Sequence, residues 1–183
     1  ACGVRQALTE REKRMWLTVL SIAVLVALDQ LSKYWATAVL QPVGTLPFLP
    51  GVMQLTYALN DGAAFSIFAG RQGLLIAVTT AALAVMLALL VLGKTTNALT
   101  RWGLTLIVGG GIGNLIDRVL HGVVVDFFDV TFMQYAIFNV ADCFVTVGCV
   151  LLFVGILFAE RLAARRHAAG DGAAQPQKQE EKQ

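Results

Sequence analysis

From Leu74 to Leu92 the chain runs for 19 residues without a charged side chain. As a helix this run rises about 28 Å, which matches a hydrocarbon core roughly 30 Å thick. It is the clearest membrane-spanning segment of the sequence. Three further apolar runs of spanning length, at 15–40, 102–120 and 137–159, accompany it. The composition agrees: 57% of the 183 residues are hydrophobic and 14% charged, whereas soluble domains carry about 25% charged residues.

These runs predict an all-α membrane fold of four transmembrane helices. Residues 41–71 interrupt it, with Pro42, Gly44, Pro47, Pro50 and Gly51 breaking any helix and Val52 to Leu59 reading as a strand. Asn60-Asp61-Gly62 signals a turn before Ala63-Ala64-Phe65. In residues 121–136, Val123 to Phe128 is β-branched and aromatic around Asp126, and Asp129 to Ala136 reads as a short interfacial piece. Together the two segments predict a small extracytoplasmic β-rich cradle and a lid. Residues 1–14 form a polar N-terminal segment, 15–166 the membrane domain, and 167–183, rich in Ala, Gly, Gln, Glu and Lys, a disordered tail.

Arg5, Arg11, Lys13, Arg14, Lys94, Arg101, Arg161, Arg165 and Arg166 flank one side of this topology, so both termini are expected in the cytoplasm. The net charge of +2 is modest and the basic residues are not interleaved with aromatics, which excludes a nucleic-acid surface. Three cysteines and two histidines show no disulfide framework and no zinc spacing. No metal or cofactor is expected, and a monomer is expected to function.

Carboxylates inside apolar runs are costly, roughly 2.5 to 3.5 kcal/mol at the bilayer centre, and mark functional sites by default. Counting about 1.5 Å per residue puts Asp29 roughly 21 Å up the first helix, with Asp117 and Asp142 both roughly 22 Å up theirs. Asn114-x-x-Asp117 and Asn139-x-x-Asp142 share one form, each Asn lying on the same helical face as its acid. Arg118 adjoins the first acid. Asp29 and Lys33 are spaced for a structural i,i+4 ion pair.

Two carboxylates brought close share a proton, and such a pair can activate water and protonate a leaving amine. The same acids could also carry protons or cations, or join helices by hydrogen bonds, so chemistry alone leaves three readings open. Against transport, the chain has four spans and no inverted halves. The run Gly109-Gly110-Gly111-Ile112-Gly113 lacks the Lys-Ser/Thr ending of a phosphate loop; Gly109 and Gly113 instead make a small-xxx-small face, expected to let the fourth helix approach Asp117.

Five blocks in order, Asp29-Gln30-Leu31-Ser32-Lys33, Asn60-Asp61-Gly62-Ala63-Ala64-Phe65, Gly113-Asn114-Leu115-Ile116-Asp117-Arg118, Val125-Asp126-Phe127 and Phe138-Asn139-Val140-Ala141-Asp142, resemble the bacterial lipoprotein signal peptidases, signal peptidase II. The resemblance implies an aspartyl endopeptidase of the inner membrane. Its substrates would be prolipoproteins, cut on the amino side of a diacylglyceryl cysteine that arrives through the membrane lipid, at a site near the outer face. Carried over, Asp117 and Asp142 would be the catalytic dyad. Asn60, Gly62, Asn114, Arg118, Asn139 and Ala141 would support the site or bind substrate, and Asp29, Lys33 and Asp126 would form a structural polar network. Cys143 receives no role.

Overall fold

A computed structural model describes residues 2–62 and 71–173, with side chains described for 10–62 and 71–161. The block Ala63-Ala64-Phe65 lies outside the described residues. Four helices dominate: α1 (Cys2–Leu40), α2 (Gln72–Val91), α3 (Ala98–His121) and α4 (Val140–Ala173). Each contains a stretch long and apolar enough to cross a membrane. Three strands, β1 (Thr45–Leu49), β2 (Met53–Asn60) and β3 (Val124–Val130), form one antiparallel sheet in the order β1-β2-β3.

Helix boundaries follow local chemistry. Asn97 caps α3 by accepting a hydrogen bond from the Thr100 amide at 2.9 Å, and Gly122, at φ 73°, ends it in the left-handed region that glycine tolerates. The helix of α1 begins at Cys2 rather than Met15, because no proline interrupts the polar segment before the apolar run. At the other end α4 continues to Ala173, past the expected start of disorder, through a stretch containing Ala163, Ala164, Ala168 and Ala169. Residues 174–183 lie outside the described residues.

The sheet is the expected cradle, and β3 belongs to it rather than to a separate lid. Pro47 is accommodated because β1 is an edge strand. The sheet rests on the end of α1, where Ala36, Leu40 and Phe127 are buried and Leu46, Leu55, Tyr57 and Val140 pack around them. This seat fixes β3 over the ends of α1 and α3.

Among the helices α3 is central, packing against α1, α2 and α4. Its glycines divide the work differently from the sequence expectation. A methyl group at Gly109 would overlap Leu25 of α1, and one at Gly113 would strike the Asp29 carboxylate, so that pair admits α1. The approach of α4 depends on Gly103 and Gly110, seven residues apart. A Cβ there would meet backbone atoms of Gly148 and Leu152, and the Ala141 carbonyl, respectively. Helical rotation of about 100° per residue decides this: Gly110 looks away from the face shared by Gly109 and Gly113.

Candidate active site

The polar residues singled out in the sequence converge where α1, α3, the start of α4 and β3 meet. The Lys33 ammonium of α1 lies at the centre. It is 2.9 Å from Asp29 one turn below, 2.9 Å from Asp117 on α3, and donates to Asn114 Oδ1 at 2.7 Å. Lys33 is 4% exposed and Asp29 fully buried, so both charges depend on one another rather than on water. Asp29 also accepts the Ala141 amide at 3.0 Å, tying α1 to the first turn of α4.

Gln30, beside Asp29 on α1, is a further member of the site. Its side-chain amide reaches Asp117 Oδ1 at 2.9 Å and the Gly113 carbonyl at 3.2 Å. Position i+1 to Asp29 gave no hint of that reach, which exists because Gly113 lets α3 lie against α1.

At the head of α4, Asn139 and Asp142 cap one another. The Asp142 amide donates to Asn139 Oδ1 at 3.0 Å, and the Asn139 amide to Asp142 Oδ2 at 3.1 Å. This is a capping box with Asn and Asp in the two positions. It spends the Asn139 carbonyl end on the helix and leaves its NH2 free to donate elsewhere, to Asp126 Oδ1 at 2.6 Å and Asn114 Oδ1 at 3.1 Å. The chain reaches that point because Phe138 bridges to Phe128 on β3, its carbonyl accepting from the Phe127 and Phe128 amides at 3.0 and 2.8 Å.

Asp126 lies on β3, opposite Ala58 of β2, so Asn60 two residues along shares its face. Asn60 donates to Asp126 Oδ2 at 2.9 Å and accepts the Gly62 amide at 2.9 Å. Arg118 then donates to the Gly62 carbonyl at 2.8 Å, which fastens the end of β2 to α3. Burial pushes the Asp126 carboxyl up to about 6. The charge of Asp142 adds to the rise, and the amide donors of Asn60 and Asn139 oppose it.

All eleven expected site residues thus meet in one network, in which Asp117 and Asp142 have different partners. Asp117 holds an ion pair with Lys33, and accepts from Gln30 and, at 3.4 Å, from the Val125 amide. Asp142 is joined to Asp126 through Asn139, and accepts from Asn114 Nδ2 at 2.8 Å. Neither Asp126 nor Asp142 has a Lys or Arg nitrogen within 4 Å among the described residues. Asp117 is thus satisfied by the Lys33 cation, whereas Asp126 and Asp142 share Asn139 as a donor. Among the described residues no group of three or more His, Cys, Asp and Glu could hold a metal.

The family model for signal peptidase (SPase) II matches residues 21–158. The chain belongs to the signal peptidase II family. It is similar to the lipoprotein signal peptidase of Streptococcus pyogenes serotype M2 (strain MGAS10270), 43% identical over 138 residues that cover 75% of this chain and 91% of the relative. The enzyme of that name from serotype M1 is 42% identical over the same shares. Two solved structures, both titled as a bacterial membrane enzyme obtained by the in meso method, resemble the fold. The one at 2.3 Å resolution has a TM-score of 0.71 and 27% identity, covering 90% of this chain and 94% of its own. The one at 1.9 Å has a TM-score of 0.69 and 29% identity, covering 77% and 92%. Signal peptidase II membership, with four spanning helices, makes the chain a bacterial multi-pass membrane peptidase.

Proposed function

We propose that this signal peptidase II is an aspartyl endopeptidase that removes the signal peptide of diacylglyceryl-modified prolipoproteins on the amino side of the lipidated cysteine, and that its reacting pair is Asp126 and Asp142. The observation that carries the pairing is Asn139, whose NH2 holds Asp126 at 2.6 Å while its backbone amide holds Asp142 at 3.1 Å. One residue thereby fixes two carboxylates that, among the described residues, have no Lys or Arg nitrogen within 4 Å.

In this reading Asp126, buried and with its carboxyl pushed upward, carries the shared proton, while Asp142, the more accessible of the two, serves as the base toward water. Asp142 takes a proton from water as the water attacks the scissile carbonyl, and Asp126 donates to the carbonyl oxygen. As the C–N bond breaks, the proton taken by Asp142 passes to the leaving amine and a hydroxyl of the tetrahedral intermediate returns a proton to Asp126, which restores the pair. Lys33, Asp29 and Asp117 form the platform that holds Asn114 against Asp142, and Arg118 with Asn60 frames the approach at Gly62. The lipid chains stay in the bilayer while the peptide bond is presented to the sheet, with both termini cytoplasmic and the site near the outer face.

The test is cleavage of a fluorescent diacylglyceryl lipopeptide and of its unlipidated counterpart by purified protein. Asp126→Asn and Asp142→Asn should each lower kcat at least about a hundredfold with the fold retained. Asp117→Asn should keep a larger residual rate than either. Equal cleavage of the unlipidated peptide would refute the substrate assignment, and a folded Asp126→Asn enzyme working at the normal rate would return the dyad to Asp117 and Asp142.

A further inference from the structure

At the end of the bundle away from the aspartates, a cavity of about 960 Å³ opens between α1, the end of α2 and the start of α3. One part of its wall is apolar, formed by Met15, Val19, Ile22 and Leu90. The other carries Arg11, Arg14 and Arg101, opposed by Glu10 and Glu12. Lys13 already holds Glu10 at 2.9 Å. Arg11 closes one side by donating to the Val91 carbonyl at 3.4 Å. Arg101 lies in the first turns of α3, and its Nη1 is buried without a hydrogen-bond partner.

A buried guanidinium nitrogen with nothing to donate to is costly, and the positive end of α3 beside it makes an anion the favoured neighbour. The apolar wall lies on helices that cross the membrane, so the same ligand must carry hydrocarbon. We propose that this cavity is a binding site for an anionic phospholipid, whose phosphate is held by Arg101 and Arg14 and whose acyl chains lie between α1 and α2. The site is separate from the aspartate network: Arg14 lies about 22 Å along α1 from Asp29.

The experiment is native mass spectrometry of the full chain in detergent, titrated with phosphatidylglycerol, with phosphatidylcholine of the same acyl chains, and with inorganic phosphate. The wild-type protein should retain phosphatidylglycerol over phosphatidylcholine by about fivefold for each engaged arginine, roughly 25-fold for two. Arg14→Gln, on an exposed side chain, should lower the preference about fivefold, and Arg14→Gln with Arg101→Gln should abolish it. Arg101→Lys should recover part of it, since the charge returns without the planar fork. Lipopeptide cleavage in lipid-free detergent should be unchanged in Arg14→Gln. Equal retention of both lipids, an undiminished preference in the double variant, or displacement of the lipid by millimolar phosphate would each overturn the proposal.

Discussion

The Lys33 ammonium and the Asp117 carboxylate lie 2.9 Å apart, both almost fully buried, with Asp29 at the same distance on the other side of the lysine. One cation thus serves two acids. Removing Lys33 strands both carboxylates, whereas removing the charge of Asp117 leaves a balanced pair. Lys33→Met should therefore cost about 3 to 5 kcal/mol of stability and Asp117→Asn clearly less. Thermal unfolding of the two variants in one detergent compares them directly, and a larger loss in Asp117→Asn would contradict the shared-cation arrangement.

Asp126 makes stability depend on pH. Its carboxyl is raised from 3.8 unfolded to about 6 in the fold, so the folded state binds a proton that the unfolded chain has already released. The resulting stabilisation, about 3 kcal/mol, is fully present below about pH 4 and is lost as pH rises through about 6. Relative to Asp126→Asn, the wild-type protein should lose melting temperature over that window and run parallel above it. Parallel curves throughout would show that the carboxyl is not raised.

Asn139 performs two tasks that substitution can separate. Serine retains a side-chain oxygen for capping α4 but has no NH2 to reach Asp126. Asn139→Ala should lose about 0.5 to 2 kcal/mol of stability together with activity. Asn139→Ser should regain most of the stability and little of the activity. Recovery of both by serine would mean that the contact with Asp126 is dispensable.

Gly110 and Gly111 are adjacent but meet different neighbours. A methyl group at Gly110 would collide with the Ala141 carbonyl, one residue before Asp142, whereas at Gly111 it would meet the end of the Leu83 side chain, which can turn aside. Gly110→Ala should cost about 1 to 3 kcal/mol and most of the activity, by pushing the head of α4 away from Asp126. Gly111→Ala should stay near wild type in both. Lipopeptide turnover and melting temperature for the pair decide it.

The spanning helices were legible because hydrocarbon imposes length and apolarity directly on the sequence. Asp29, Asn114, Asp117, Asn139 and Asp142 were legible because polar side chains stand out in apolar runs, whereas Asn60, Gly62, Asp126 and Ala141 came only from the family resemblance. Their hydrogen-bond partners were less so. Depth along a helix can be counted from sequence, and counting put Asp117 level with Asp142, but which neighbour a residue faces depends on helix rotation and packing. Lys33 turned out to reach across to α3 as well as down to Asp29, and Gly110 rather than Gly109 admits α4. Asp126 was expected as part of a structural network, but its contact with Asn139 depends on the register of β3 against β2 and on the seat that holds β3 on α1. The extension of α1 to Cys2 continues the helix through the polar N-terminal segment, and that of α4 to Ala173 reflects helix formers in a stretch that composition alone read as disordered.

The Asp29 and Lys33 pair also bears on how the protein is made. Asn114, which receives the lysine's hydrogen bond, is synthesised 81 residues later, so α1 must enter the bilayer before α3 exists to meet it. Each charge alone would resist insertion by roughly 2.5 to 3.5 kcal/mol. One helical turn apart, the two neutralise each other within the first segment to arrive, and the nascent helix carries its own counter-ion, a pair that is kept in the fold when Asp117 and Asn114 join it.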